Sequence, residues 1–174
     1  LMTGEARLSF VRKYIFSTNH KVIAVQYLVT GLLFLGVGLF LALLMRWQLA
    51  YPWQPVPLIG KLLFQASGGA VSPEAYPMLF TMHGGLMVFF AITPILLGSL
   101  GNYSIPLEIG SRDMAFPKLN MLSYWFLFAG SLIALVSFFV PEGAAGFGWT
   151  IYAPLSASTK VTPGWGQDLF ILGL

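Results

Sequence analysis

The fold is decided by residues 22–45, which read VIAVQYLVTGLLFLGVGLFLALLM and lie between Lys21 and Arg46. These 24 residues carry no charge. As an α-helix they would be about 36 Å long, enough to cross a hydrocarbon core of about 30 Å. The whole chain has a similar character, because only 9% of its 174 residues are charged and 57% are hydrophobic. Since a soluble domain has about 25% charged residues, the composition predicts a membrane protein.

Three further uncharged runs predict the other helices. They lie between Glu74 and Glu108, between Lys118 and Glu142, and after Asp168. We therefore predict an all-α, polytopic transmembrane bundle with full spans at about 22–45, 76–101 and 118–140 and the start of a fourth at 168–174. Because the last run stops after about two turns, we expect residues 1–174 to be a fragment of something larger.

The basic residues are distributed unequally between the two membrane faces. Six precede the first span or follow the second, and three lie on the opposite side: Arg7, Arg12, Lys13, Lys21, Arg112 and Lys118 against Arg46, Lys61 and Lys160. Cytoplasmic loops carry the excess of Lys and Arg, so the N-terminus is predicted to be cytoplasmic, or in the matrix of a mitochondrion. These charges are too dispersed for a nucleic-acid surface. The absence of Cys excludes disulfides and thiolate metal sites.

His83 is the first candidate functional residue, because it lies inside the second predicted span, in FTMHGGLM at 80–87. Ionisable groups inside a membrane are usually functional. One hypothesis is an axial ligand to heme iron, with Gly84 and Gly85 leaving an open surface for the flat macrocycle. The alternative is a histidine that hydrogen-bonds to a neighbouring helix. His20 lies at the opposite membrane face, so it is excluded as a second ligand and interpreted as an interfacial polar residue.

Arg46 ends the first span on the side nearer to His83. Its guanidinium either snorkels to the interface or hydrogen-bonds the polar edge of a cofactor held by His83. Gly31 and Gly38, seven residues apart, offer a small-residue face that suits either a cofactor or helix packing.

A polar set lies at the inner end of the second and third spans. Its members are Asn102, Asp113, Asn120 and Ser123. A carboxylate followed by neutral hydrogen-bonding groups is what a water-filled proton path needs. The alternative is that Asp113 is a solvated carboxylate near Arg112 and Lys118.

Several stretches resemble subunit I of the heme-copper oxidases, and more narrowly the aa3-type cytochrome c oxidases. They are FSTNHK at 16–21, HGGLMVFF at 83–90, GN at 101–102, IPLEIGSRDMAFPKLN at 105–120 and GWTIY at 148–152. The resemblance covers residues from about 14 to the end. The resemblance implies that residues 1–174 are the N-terminal fragment of a single transmembrane domain, with the first three helices and the start of the fourth in a subunit of about twelve.

The resemblance implies a low-spin heme a with His83 as its axial ligand. Arg46 matches the arginine that hydrogen-bonds the heme formyl group, and Tyr76 and Trp149 match residues near the heme propionates. Asp113 matches the entrance of the proton-uptake pathway. Tyr27, Asn102, Asn120 and Ser123 match its polar lining. The high-spin heme, the copper and their ligands belong to later parts of the subunit, so no catalytic residue is expected in this segment.

The implied activity is a proton-pumping oxidase of a bacterial cytoplasmic membrane that takes electrons from cytochrome c through a subunit II and works with other oxidase subunits. The long loop at 51–72 favours a bacterial source. Gln48 stands where the family often has an acidic residue at an outer calcium or sodium site. Val37, Leu41 and Ala75 stand where quinol-using relatives carry polar residues. A quinol oxidase and a cofactor-free transporter remain as alternatives.

Overall fold

A computed structural model describes residues 10–140, 143–157 and 164–174. In these ranges three helices are long and apolar enough to cross a membrane: His20–Ala50, Ala75–Glu108 and Pro117–Phe139, here called the first, second and third spans. A C-terminal helix follows at Gly164–Gly173, and no strand occurs among the described residues. The all-α, membrane-spanning fold is therefore confirmed. The charges Arg7, Glu142 and Lys160 lie outside the described residues.

The first two spans extend beyond the ends predicted from the uncharged runs, whereas the third ends at Phe139, before Glu142. The first span begins at His20, because the side chain of Asn19 accepts a hydrogen bond from the backbone N–H of Lys21 at 2.9 Å. It continues past Arg46 to Ala50. The second span likewise continues past Gly101 to Glu108. Charged residues therefore mark where each helix meets the membrane interface, whereas the backbone stays helical further on.

The middle of the second span is wider than an α-helix. Residues Leu86–Ile92 and Pro94–Gly101 are π-helical. Pro94 has no N–H to donate, and its ring clashes with the carbonyl four residues back. Just before it, both the backbone N–H and the hydroxyl of Thr93 donate to Val88 O, the hydroxyl at 2.7 Å. This widened stretch lies between His83 and Asn102, so it separates the two predicted sites along the helix.

Glycines bring the helices into close contact. A Cβ at Gly31 would lie 2.6 Å from Cγ1 of Ile95, and one at Gly38 would overlap Met87 on the second span. A Cβ at Gly130 would overlap the backbone of Gly173 in the C-terminal helix. The packing interpretation of Gly31 and Gly38 therefore holds, as in other membrane helix pairs with small residues at the contact.

The buried core lies mainly between the first and second spans. It includes Phe34, Leu41, Met82, Leu86 and Phe90. The side chains on the outer faces are large, apolar and exposed, among them Leu33, Leu43 and Phe126. Such faces are suited to contact with lipid or with further helices rather than with water.

Candidate functional site

The imidazole of His83 connects the second span to the first. Its Nδ1 lies 2.8 Å from the carbonyl oxygen of Gly38. A carbonyl oxygen can only accept, so Nδ1 carries the proton and donates it, and the neutral ring then has its lone pair on Nε2. No described residue is hydrogen-bonded to Nε2. The predicted bond to a neighbouring helix is present, and it leaves the second nitrogen available for a metal in the arrangement typical of metal-bound histidines.

The two glycines after His83 do not leave an open surface. A Cβ at Gly84 would lie 3.3 Å from Cδ1 of Trp149, and one at Gly85 would lie 2.9 Å from Cε2 of Phe170. The prediction that these positions are free for a macrocycle is wrong, because aromatic rings from later parts of the chain cover them. Any cofactor at His83 must approach from another side of the ring.

Trp149 is held beside His83 by the segment that precedes it. The backbone N–H of Gly148 donates to the hydroxyl of Thr81 at 2.8 Å, and Thr81 is fully buried in the second span. The Trp149 ring packs on Gly84 and lies 6.3 Å from the Phe89 ring. The structure therefore brings the predicted Trp149 next to the candidate ligand.

Tyr76 and Arg46 lie further along the bundle at one end. Tyr76 is seven residues before His83, which places it about 10 Å away along the helix and about 20° around it, on the same face. Arg46 is eight residues after Gly38, about 12 Å along the first span. Its side chain is exposed and has no carboxylate partner within the described ranges. Arg46 and Tyr76 therefore lie at a similar depth along the bundle, both nearer to the same end than His83.

At the other end of the bundle, Asp113 is paired with His20. Its Oδ1 lies 3.1 Å from His20 Nδ1 and accepts from the backbone N–H groups of His20 at 3.3 Å and Met114 at 2.8 Å. The side chain of His20 is only 3% exposed, and that of Asp113 is 36% exposed. His20, predicted to be an interfacial polar residue, is therefore buried at this end of the bundle with the Asp113 carboxylate as its partner. The carboxylate is paired with this histidine rather than with Arg112 or Lys118.

Tyr27 and Ser123 join the first and third spans. Ser123 Oγ donates to Asn120 O at 2.7 Å, so in the 2.9 Å contact with Tyr27 the phenol is the donor. Asn102 Nδ2 donates a hydrogen bond to Gly98 O, and the Tyr27 ring packs against Gly98. The four residues predicted as a polar lining, Tyr27, Asn102, Asn120 and Ser123, are therefore brought together from three helices. We call these four residues the polar cluster.

The polar cluster and the nearby His20 have hydrogen-bonding atoms without partners among the described residues. Asn102 Oδ1, Asn120 Nδ2 and His20 Nε2 are buried and have none among the described residues. Buried polar groups are usually satisfied, and where no protein group does so the partner is normally an ordered water. Tyr27 is seven residues after His20, on the same face and about 10 Å deeper. The arrangement favours water between Asp113 and the polar cluster.

A second hydroxyl pair was missed by the sequence analysis. Thr30 Oγ1 lies 3.1 Å from the hydroxyl of Tyr124, and the Tyr124 ring meets that of Tyr27 edge to face at 5.2 Å. Thr30 is one turn after Tyr27 on the same helix face, and this spacing was the available signal. The pairing of His20 with Asp113 had no local signal, since 93 residues separate them.

The chain is similar to known proteins over nearly its whole length. Residues 22–174 match the family described as Cytochrome C and Quinol oxidase polypeptide I. The chain belongs to this family. The resemblance seen in the sequence is therefore confirmed, and heme and copper binding are properties of the family. No group of three or more His, Cys, Asp or Glu that could hold a metal ion is found in the described part of the chain.

Curated relatives cover nearly all of the chain. It is 45% identical over 166 residues to the probable cytochrome c oxidase subunit 1-beta of Nocardia farcinica, and 42% identical over 164 residues to the probable subunit 1-alpha of Streptomyces avermitilis. It is also 42% identical over 167 residues to the heme-copper oxidase subunit I+III of Aeropyrum pernix. These matches span 94–96% of this chain but only 26%, 26% and 18% of the three relatives. The chain thus represents about a quarter or less of their length.

Proposed function

We propose that this chain is the N-terminal part of the catalytic subunit of a terminal oxidase, which reduces O2 to water with electrons from cytochrome c and pumps protons. Family membership and relatives named as cytochrome c oxidases support this proposal. The structural observation that carries it is the His83 imidazole, whose Nδ1 is bonded to Gly38 O while Nε2 has no partner among the described residues.

The residues around His83 fit an axially bound heme. A single imidazole with Nδ1 bonded to Gly38 O and Nε2 free of described partners is the kind of ligand that would hold a heme iron. His83 would hold the iron, the Gly38 carbonyl would orient the imidazole, and Arg46, Tyr76 and Trp149 would contact the cofactor's edge. A low-spin heme a supplies one-electron transfer when bound, and a high-spin heme and copper would be held by the rest of the subunit.

The second role we propose is proton uptake. Asp113 is partly exposed at the end of the bundle, and His20 holds its carboxylate in place. From there the polar cluster leads about 10 Å deeper along the first span. Its unpartnered amide atoms would bind water, and protons would pass along this water towards the membrane interior. This role places the Asp113 end and the N-terminus in the bacterial cytoplasm, in agreement with the excess of basic residues there.

We propose cytochrome c, delivered through a subunit II, as the electron donor. Leu41 is buried in the core, and Val37 and Ala75 are packed against it. These three positions therefore offer no polar side chain to a quinone headgroup. Turnover of the complete complex by reduced cytochrome c but not by a ubiquinol analogue is expected, and the opposite preference would contradict the assignment.

The heme assignment is tested in the complete complex. Changing His83 to Ala should abolish the low-spin heme bands in the reduced-minus-oxidised spectrum, because the iron loses an axial ligand. Changing His20 to Asn is the matched control, since it removes the other histidine but should leave those bands intact. Persistence of the low-spin signal in the His83 variant would show that the ligand is elsewhere.

The proton role has a separate test. Changing Asp113 to Asn removes the ionisable group but keeps a similar shape, so we expect slower proton uptake and reduced pumping with an unchanged heme spectrum. Glu108 is an exposed carboxylate in the same connection, and its change to Gln is the control. Equal pumping in the Asp113 variant and the parent, or equal loss in the control, would remove Asp113 from the path.

A further inference from the structure

A groove on the first span lies at the same end as Asp113. It has a volume of about 500 Å³. Its polar end is formed by Tyr14, Lys21 and Gln26, and its apolar side by Val22, Val25 and Val29. Tyr14 belongs to the single helical turn Val11–Ile15 that precedes the span. Thr30 of the first span and Tyr124 of the third complete the lining, so the groove is bounded by three separate segments of the chain.

The polar end of the groove is held in place by hydrogen bonds. Gln26 Nε2 donates to Tyr14 O at 2.9 Å and to Ile15 O at 2.8 Å. These two bonds fix the N-terminal turn against the first span. The wall of the groove is thus a built feature and not a chance position of a surface turn.

The same end carries positive charge. Lys21 lines the groove, and Lys13 Nζ lies over the ring of Tyr14, another lining residue, 5.1 Å from the ring centre. In the described ranges the one salt bridge joins Asp113 to His20, so neither lysine there has a carboxylate within 4.0 Å. The positive end of the helix dipole of the first span lies beside them. The polar end is therefore suited to an anion.

Away from this end the groove is apolar and follows the helix into the membrane. Val22, Val25 and Val29 are spaced by three and four residues and share one face. Val25 is 54% exposed and Val29 is 53% exposed. Val29 lies about 12 Å further along the span than Lys21. The groove thus combines a cationic mouth at the interface with an apolar track of the kind an acyl chain would cover.

We propose that this groove binds one anionic phospholipid, with the phosphate between Lys13 and Lys21 and an acyl chain along Val22, Val25 and Val29. The charge at the mouth selects an anionic headgroup over a zwitterionic one. Anionic lipids are concentrated in the cytoplasmic leaflet, where the proposed topology places this end. The site does not depend on the oxygen chemistry proposed for the complete subunit, and it can be tested without measuring turnover.

The experiment is lipid titration of the complete, delipidated complex, followed by native mass spectrometry. Phosphatidylglycerol and phosphatidylcholine with identical acyl chains are the two probes. We expect one phosphatidylglycerol to be retained in preference to phosphatidylcholine. Changing Lys13 or Lys21 to Gln should weaken its binding by about fivefold for each lysine removed.

Three further variants separate charge from folding. Lys21→Arg keeps the charge and should retain the lipid. Lys118→Gln removes an exposed lysine at the same membrane face outside the groove and should have no effect. Gln26→Leu removes both bonds that hold the N-terminal turn and should release the lipid while leaving the heme spectrum unchanged.

Three results would overturn the proposal. Equal binding of the two lipids would show that the charge does not select a headgroup. Unchanged retention of phosphatidylglycerol in the doubly substituted Lys13 and Lys21 variant would place the lipid elsewhere. A structure of the complete complex with the groove filled by another part of the protein would make it a protein contact.

Discussion

Replacing Gly38 with alanine would add a methyl group at the point where the first and second spans meet. The new Cβ would overlap Met87 Sδ, lie 2.8 Å from Met87 Cγ, and lie 3.9 Å from His83 Nδ1. Gly38 is also the residue whose carbonyl oxygen accepts from His83 at 2.8 Å. The substitution therefore perturbs the helix contact and the orientation of the candidate ligand together.

The expected size of the effect follows from these contacts. Overpacking of a tight contact costs about 1–3 kcal/mol, and the flexible Met87 side chain can relieve part of this cost. A weakened hydrogen bond to His83 adds about 0.5–1.5 kcal/mol. Loss of such an outer partner typically reduces metal affinity by about 10–100-fold. We therefore expect a lower unfolding temperature and at least about tenfold weaker heme retention.

The assay is thermal unfolding of the complete complex together with electron paramagnetic resonance of the low-spin ferric heme, whose signal reports on the axial imidazole. Gly36→Ala is the matched control, because a Cβ there meets nothing within 4 Å. Shortening Met87 to Ala in the Gly38→Ala background removes both overlapping atoms and should restore part of the loss. The reasoning is refuted if the Gly36 and Gly38 variants behave alike, or if the double variant shows no recovery.

Two further predictions concern packing and the polar cluster. Gly130→Ala would press a methyl group against the backbone of Gly173, which cannot move aside as a side chain can, so the substitution should lower the unfolding temperature of the complex. Gly101→Ala is the control and should not lower it, because its Cβ would have no neighbour nearer than 3.8 Å. Equal effects of the two substitutions would contradict the assigned contact. In a double-mutant cycle of unfolding free energies, Tyr27→Phe and Ser123→Ala should be coupled by about 0.5–1.5 kcal/mol, because each substitution removes the same hydrogen bond. Additive losses would show that this bond contributes nothing to stability.

The sequence contained enough to predict the number, order and type of the spans. Charged residues are so costly inside a membrane that the uncharged run between Lys21 and Arg46 could only be a helix that crosses it. The sequence did not show where the helices end, because a helix continues into the membrane interface as long as its backbone hydrogen bonds are made. Nor did the hydrophobic pattern reveal the widening of the second span, although Pro94, which lacks an N–H, lies where its two π-helical stretches meet.

The candidate site was predictable in its residues but less so in its contacts. His83 stood out because an ionisable group in a span needs a reason, and the bond to Gly38 provides a structural partner. The prediction of an open surface at Gly84 and Gly85 failed because a glycine indicates a close contact with the backbone but does not identify the group that makes it. In this structure the approaching groups are Trp149 and Phe170, which lie more than sixty residues later.

The pairing of His20 with Asp113 also has a consequence for biosynthesis. The two residues are separated by 93 positions, and at an elongation rate of about 5–20 residues per second the ribosome needs about 5–20 s to add the later one. During that interval the first helix is already synthesised while its imidazole has no carboxylate partner. The contact between His20 and Asp113 can therefore form only after the connection before the third span has been synthesised, so it can contribute to assembly of the bundle but not to the initial insertion of the first helix.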